Sequence, residues 1–319
     1  AGYEGSGILG LEWDVPSGTV RRLGAAVGKT AGADFDQYNM YGGRKRCILT
    51  DDGVRLAYYG EPGFTETGKL EEELVVNGVT YPIGTPVQVM VEQPVFWYKT
   101  VPLKFKKIPG QDGLTVQKIR YYISDTARPG FKRHPAFYTR TPDRKPVDYI
   151  YLAAYEGNIY DTSTNTYSIT TGIDWNNDKL SSTSNATIKR DTIANLRKAA
   201  NNRGNNWYLM DIFSFSATQL LFAIEYGSFD SQSMIGQGFN GYPTPATTGF
   251  TSSLGNSSGQ APNNTVTYRG QENLWGNSCE ILDGINVYAD GTNSKAYISY
   301  FDFQDSIQTD PYFNVGFDL

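Results

Sequence analysis

Few residues of this 319-residue sequence have the types and spacing that catalysis requires. His134 is the only histidine; it lies in the proline-containing stretch 128–135, and no nucleophile motif accompanies it. We therefore expect a packing or surface residue rather than a catalytic base. Cys47 and Cys279 are the only cysteines, and with one histidine they give no zinc-ligand spacing. We expect two separate, buried, unlinked thiols and no enzyme activity.

Glu156 and Glu225 are the acidic residues that stand out, because each lies within an apolar segment. An ionised carboxylate in such a segment is costly unless it is paired. The two residues could form a glycosidase carboxylate pair, but pairing inside the fold is favoured, with the partner drawn from Arg197, Arg203 and Arg269.

Calcium binding is the other chemistry that acidic residues offer. Oxygen ligands are available from Asp174, Asp178, Asp283, Asp290, Asp302 and Asp305. No EF-hand spacing organises these aspartates, so solvated loop carboxylates are favoured. We expect no cofactor, with a structural calcium ion as the alternative.

The segment 268–287 combines a polar glycine turn with an apolar strand. Its motif places Trp275 and Gly276 among four hydrogen-bonding side chains, namely Arg269, Glu272, Asn273 and Asn277. A large ring, a tight turn and several polar side chains in one short stretch are typical of a core-forming loop. We expect Trp275 to be a buried anchor and the asparagines to bond to loop backbone.

Composition favours strands and turns over long helices. The chain has 23 Tyr, 16 Phe, 5 Trp and 34 Gly, with a charged fraction of 19%. A net charge of -5 and a pI near 5.1 provide no basic field for a polyanion. We therefore expect no nucleic-acid partner. No apolar run approaches the roughly 20 residues that span a bilayer, so membrane insertion is not expected.

Three segments follow from the pattern along the chain. Residues 1–90 form a β-rich N-terminal module with strands near 8–13 and 73–76. Residues 91–146 are a β connector region, and the strand at 87–98 is predicted to pair with the one at 116–124. The main boundary lies at residue 147, where the character of the sequence changes.

Residues 147–319 are predicted to contain both helices and strands, so the predicted fold class is α+β. A strand at 148–156 precedes a polar loop at 161–185, and helices at 191–203 and 216–226 end at Gly204 and Gly227. Residues 236–264 are rich in Gly, Asn, Ser, Thr and Pro and predict a long exposed loop. Strands near 281–287 and 295–301 then flank a hairpin corner at Asp290-Gly291.

The order of these elements matches a C-type lectin-like domain, and the motif supports a resemblance. Residues 269–277 resemble the Arg-Gly-x-Glu-Asn-x-Trp-Gly-Asn run of tail-associated proteins from phages and prophages of gut bacteria. They also resemble the Gly-Asn-Val-Trp-Glu-Trp element of the formylglycine-generating-enzyme branch of the C-type lectin fold. Some relatives in that branch are variable ligand-binding proteins of diversity-generating retroelements. Further blocks at 89–99, 123–137, 148–157 and 219–232 follow the same family order.

The resemblance covers about residues 87–319 and implies binding rather than catalysis. Ser278-Cys279 departs from the bulkier residues of the family element. Formylglycine-generating enzymes need a cysteine pair in the C-terminal part, whereas Cys47 lies outside it, so that activity is not carried over. Asn273 and Asn277 fall where lectin-like relatives can hold a structural calcium ion.

The resemblance implies a phage tail-associated or virion-surface receptor-binding protein, extracellular after release. Its expected partners are a host cell-surface glycan or protein, other virion proteins and further copies of itself. A polysaccharide depolymerase and a structural tail or capsid decoration protein are the alternatives.

We place the binding surface on the loop 236–264 and on the turns at 290–294 and 304–310, because long loops on a rigid scaffold can vary without unfolding the core. Most aromatic residues, Trp207 among them, are expected to be core or strand-face residues. The contact residues predicted on this surface are Tyr242, Phe250, Asn256, Asn263, Asn293 and Gln304. A flexible spacer or a subunit contact is the alternative role of the loop.

Overall fold

The computed structural model describes residues 3, 6–107, 109–110, 113–289, 291 and 293–318. Its strands, in chain order, are β1 Leu9–Asp14, β2 Thr19–Gly24, β3 Lys45–Leu49, β4 Arg55–Tyr58, β5 Leu74–Val76, β6 Val79–Tyr81, β7 Gln88–Pro94, β8 Trp97–Lys107, β9 Leu114–Ser124, β10 Lys132–Arg133, β11 Tyr149–Ala153, β12 Asn158–Asp161, β13 Thr166–Ile169, β14 Lys179–Ser181, β15 Gly259–Gln260, β16 Val266–Tyr268, β17 Gln271–Glu272, β18 Ile285–Ala289, β19 Ser294–Ile298 and β20 Phe313–Asp318. The α-helices are α1 Asn39–Gly42, α2 Ile193–Asn201, α3 Ile212–Tyr226 and α4 Ser231–Met234. The protein is thus mostly β, with several antiparallel sheets.

Two large sheets carry most of the N-terminal half. One has the order β10-β8-β9-β1-β2, and the other has the order β11-β7-β3-β4. The predicted strand at 87–98 is in fact two strands, because β7 ends at Pro94 and β8 begins at Trp97. β8 pairs with β9 as predicted, whereas β7 pairs with β3 and β11.

The predicted polar loop at 161–185 is wrong for much of its length. Its residues supply β13 and β14, which pair on either side of β12. Asn165 makes the turn between β12 and β13 with a positive φ of 57°. Threonine and tyrosine favour extended backbone, so a polar composition did not prevent strand formation.

The two predicted helices are present, and their caps explain their ends. Asp211 begins α3 by accepting a hydrogen bond from the Ser214 backbone N–H at 2.9 Å. Gly227 ends α3 in the left-handed region with φ 62°, as the glycine stop predicted. α2 begins after Thr192 and ends at Asn201, before the predicted stop at Gly204.

Shared cores join the three predicted segments. The largest buried cluster contains Leu9 and Phe35 from residues 1–90, Phe96 from 91–146, and Phe213 and Leu221 from 147–319. A second cluster joins β3, β4 and β7 to β11. The boundaries at 90 and 147 are therefore both crossed by packed side chains and by the four-stranded sheet.

The stretch 236–264 is not the fully exposed loop that its composition predicted. Thr248, Thr251 and Ala261 are buried, and residues 252–254 form a 3-10 turn. Tyr242, by contrast, is 90% exposed. Hydrogen bonds to the motif hold the middle of the stretch against the body of the protein, so a segment without much apolar surface is still ordered.

Both thiols are free, as predicted, but only Cys47 is buried and Cys279 is exposed. His134 is buried among Phe96, Tyr98 and Phe137, and burial lowers its pKa to about 3. It is a packing residue. Within the described chain, no helix combines the length and apolar character needed to cross a bilayer.

Candidate functional site

The motif at 268–277 is a hub of long-range contacts, beginning with a buried ion pair. Arg269 holds Glu225 through both carboxylate oxygens, with Nε–Oε1 at 2.7 Å and Nη2–Oε2 at 2.9 Å. Tyr268 donates its hydroxyl to the same carboxylate at 2.8 Å, and so does the Gly32 N–H. The predicted pairing of Glu225 inside the fold is therefore present, and of the three arginines considered its partner is Arg269.

The rest of the motif fixes the stretch 236–251. Glu272 accepts hydrogen bonds from the backbone N–H groups of Gly249 and Thr251, each at 2.9 Å. Trp275 donates its indole N–H to the Gly236 carbonyl at 2.8 Å, although the ring is only partly buried and not the fully buried anchor expected. Gly276 has φ +78°, and a Cβ there would lie 2.9 Å from the Gly238 Cα.

Glu156 is the carboxylate whose partners the sequence did not predict. Its Oε1 accepts from the side-chain amides of Asn273 at 2.7 Å and Asn277 at 2.8 Å, with no arginine involved. Both asparagines have positive φ, 55° and 60°, which asparagine tolerates better than other non-glycine residues. Burial raises the pKa of Glu156 to about 7, although the two hydrogen bonds lower it. The nearby Glu272 carboxylate raises it further.

Glu156 lines a cavity of about 940 Å³ that opens beside the four-stranded sheet. Met90 on β7 and Tyr149 and Tyr151 on β11 line it from the sheet. The segment 203–211, between α2 and α3, lines a second side, and residues 278–281 after the motif line a third. Elements from distant parts of the chain therefore converge on one space.

Aromatic rings are prominent in this cavity. Tyr149 is 49% exposed and packs edge-on against Tyr151, with ring centroids 5.6 Å apart. Tyr208 is 37% exposed. Trp207 is fixed by its indole N–H, which donates to the Asp51 carbonyl at 2.8 Å, and by Arg203 lying 5.6 Å from its ring. Tyr149 thus packs on a ring that is itself fixed by a hydrogen bond to Glu92, and Tyr208 packs edge-on against Phe303 with ring centroids 6.2 Å apart.

Charges around the cavity are mostly paired. Arg140 contacts Asp211 with Nε–Oδ2 at 2.5 Å, and Arg203 contacts Asp51 with Nη1–Oδ1 at 2.5 Å. Glu280 differs: its surface is open to the cavity, but surrounding protein atoms reduce its solvation and raise its pKa to about 8. The neighbouring Glu156 carboxylate raises this pKa further.

None of the six predicted contact residues lines the cavity. Tyr242 and Phe250 are exposed, whereas the Asn256 side chain accepts from the Arg46 N–H at 2.7 Å and is engaged by the fold. Asn263 accepts from the Thr265 N–H at 3.2 Å, and Gln304 donates to Asp302 at 2.9 Å. Asn293 is half-buried in the β18–β19 connection, and Asp290 of the same turn lies outside the described residues.

The residues missed by sequence reasoning are Tyr149, Tyr151, Trp207, Tyr208 and Glu280. The alternation of Tyr149 and Tyr151 along β11 was the available signal, because alternate residues of a strand share one face. Nothing local in the sequence indicated that residues 203–211 would lie beside that face.

The five described aspartates among the proposed calcium ligands do not form one metal site. Asp283 and Asp305 both pair with Arg197, at 2.8 and 2.7 Å, and Asp178 accepts from the backbone N–H of Thr162 and Asp174. Asn273 and Asn277 turn their amide N–H groups, not their oxygens, toward Glu156. Among the residues that the structure describes, no group of three or more His, Cys, Asp or Glu side chains could hold a metal ion.

Comparison with known proteins finds no match to a family model, to a curated protein or to a solved structure.

Proposed function

We propose that this protein binds a glycan in the cavity beside the four-stranded sheet. The observation that carries the proposal is the exposure of Tyr149 and Tyr208 to one open cavity of about 940 Å³. Sites for small ligands are concave and have aromatic walls and a few fixed polar groups. This cavity has aromatic walls and fixed polar groups. Its volume suits a few sugar units of a longer chain.

A saccharide fits this lining better than an apolar ligand or a polyanion. Sugar rings present C–H faces that pack on aromatic rings, and their hydroxyl groups need donors and acceptors at the rim. Asn205, Asn206 and Arg190 line the same space and offer such groups. Because Arg140 and Arg203 are each paired with an aspartate, the cavity has no concentrated positive charge for a polyanion.

We further propose a biological setting that rests on the sequence resemblance alone. In that setting the protein is a receptor-binding protein of a phage tail or virion surface, and residues 147–319 have a C-type lectin-like fold that shares its core with residues 1–146. Its ligand is a glycan, or a glycosylated protein, of the host cell surface. Several copies per virion would raise the apparent affinity of a weak site by about 10² to 10⁴.

The binding proposal is tested on an array of bacterial surface glycans. Because each aromatic contact contributes about 0.5–1.5 kcal/mol, the Tyr149→Ala/Tyr208→Ala variant should bind the best wild-type ligand about 5- to 150-fold more weakly. The matched variant is Tyr242→Ala/Phe250→Ala, which removes two exposed rings of the stretch 236–264 and should bind normally. The reverse result would place the site on that stretch, as the sequence predicted.

Polysaccharide hydrolysis is a second candidate, favoured by one observation. Glu156 and Glu280 line the same cavity, and both have pKa values raised to near neutrality, about 7 and about 8. A carboxylic acid that stays protonated near pH 7 can act as the general acid that glycoside hydrolysis needs. Release of new reducing ends from a bound polysaccharide, abolished in both Glu156→Gln and Glu280→Gln, would establish the enzyme. Binding without shortening supports the receptor-binding proposal.

A further inference from the structure

The distal part of the β8–β9 hairpin is a basic and apolar projection. Every residue from 102 to 107 is exposed, including Lys104, Lys106 and Lys107. Leu103, Phe105 and Leu114 are exposed large apolar residues of the same hairpin. We call residues 102–107 with 113–114 the basic tip. The outer edge of β8 pairs with β10 only at Trp97 and Tyr98, so the backbone edge of the tip has no strand partner within the described chain.

The β5–β6 hairpin has the opposite charge and a similar apolar character. Glu71, Glu72 and Glu73 are exposed immediately before β5. Val75, Val79 and Ile83 are exposed as well, the last of them 68%. β5 and β6 form a two-stranded sheet of their own, so each strand has an outer edge without a partner strand in the described part of the protein. We call residues 71–83 the acidic hairpin.

We propose that the basic tip of one copy docks on the acidic hairpin of a second copy. The two surfaces carry equal and opposite charge, three positive on Lys104, Lys106 and Lys107 and three negative on Glu71, Glu72 and Glu73. None of these six side chains takes part in an ion pair within the described residues. Apolar side chains beside both sets add area that contact would remove from water. The occupant is a second copy because this chain itself carries both complementary surfaces.

Two features define the geometry of this contact. The surfaces are different patches, so the contact is heterologous and gives a closed assembly only if the rotation between copies closes. Free strand edges on both hairpins also allow backbone pairing between copies. Neither hairpin contributes a residue to the cavity, so the assembly and the glycan site are independent.

The test is light scattering coupled to size exclusion of the full chain, at tens of micromolar protein and low salt. Wild-type protein should be oligomeric, and it should dissociate as salt screens the charges. Lys104→Glu/Lys106→Glu/Lys107→Glu and Glu71→Lys/Glu72→Lys/Glu73→Lys should each be monomeric. Mixing these two variants should restore association, because the reversed, acidic tip of one variant then meets the reversed, basic hairpin of the other. The unreversed tip and the unreversed hairpin are complementary in the same way.

Controls separate this contact from general charge effects and from misfolding. The variant Lys45→Glu/Lys132→Glu/Lys198→Glu makes the same change in net charge on other exposed positions and should remain oligomeric. Circular dichroism melts identify any variant that does not fold, and association in the mixture requires that both are folded. A monomeric wild-type chain, or reversed variants that associate as strongly as wild type, would overturn the proposal.

Discussion

The buried Glu225 and the half-buried Glu156 are stabilised in different ways. Glu225 is paired with Arg269, whose positive charge compensates the carboxylate directly, and its oxygens take further donors from Tyr268 and Gly32. Glu156 has only the neutral amides of Asn273 and Asn277. Neutral donors reduce the cost of burying a charge but do not cancel it, so the pKa of Glu156 rises to about 7.

The raised pKa of Glu156 predicts a stability that falls as pH rises. In the unfolded chain this carboxyl has its ordinary pKa, near 4.5, whereas the folded protein holds the proton until about pH 7. Between these values the folded state binds more protons, so the free energy of unfolding decreases with increasing pH. Glu156→Gln keeps an oxygen for both asparagines and removes the ionisation.

Thermal melts of Glu156→Gln and wild type from pH 4 to pH 8 measure this effect. The two proteins should have similar stability near pH 4, and the variant should become relatively more stable as pH rises toward 8. Asp148→Asn, at an exposed position outside both docking hairpins, is the control and should follow wild type at every pH. Parallel curves for Glu156→Gln and wild type would mean that Glu156 ionises equally easily in both states.

The helices and strands that were predicted correctly are those whose position depends on residues next to each other in the sequence. α3 and its end at Gly227 follow from the apolar periodicity and the glycine stop, and β11 follows from its apolar, aromatic run. β13 and β14 were missed because they are short and their Ser and Thr residues are also typical of loops. The partners of β7 were not predictable, because its paired residues in β3 and β11 lie between 39 and 63 positions away in the sequence.

The start of α3 carries an element-scale prediction. Asp211 caps the helix and also pairs through both oxygens with the nearly buried Arg140, at 2.5 and 3.2 Å. Asp211→Ala should cost about 3–5 kcal/mol, since it leaves the nearly buried Arg140 with only the backbone carbonyls of Ala136 and Tyr138 and without its counter-charge. Asp230→Ala removes a similar cap from the exposed start of α4 and should cost about 1 kcal/mol or less.

Urea unfolding of the two variants gives both numbers, and Asp211→Asn separates the two roles of Asp211. The asparagine can still cap α3, but it lacks the charge that Arg140 requires, so its stability should lie between those of wild type and Asp211→Ala. Equal losses in Asp211→Ala and Asp230→Ala would show that the ion pair adds nothing beyond the cap.

The whole molecule explains why the cavity was not predicted. Its lining comes from β7, β11, the segment 203–211 and residues 278–281, which meet only after the sheets and α3 have packed. The motif residues were identified from sequence because six of them lie within nine positions, and five of the six make long-range side-chain hydrogen bonds. The motif was recognised because its residues are close together in the sequence. The cavity was not recognised because its lining residues are far apart in the sequence.

The last prediction concerns the independence of residues 147–319, which the sequence set apart as a domain. Alone, this segment would lose β7 as the partner of β11, and its largest core would lose Leu9, Phe35 and Phe96. Arg269 would lose its contacts with Asp36 and with the carbonyls of Tyr41 and Gly32.

We expect the full chain to unfold in one cooperative transition and the fragment 147–319 to show none. Calorimetry of both proteins tests this, and adding the fragment 1–146 should restore the transition, since it returns the missing strand and core residues. A fragment 147–319 that melts cooperatively at the temperature of the full chain would instead establish an independent domain.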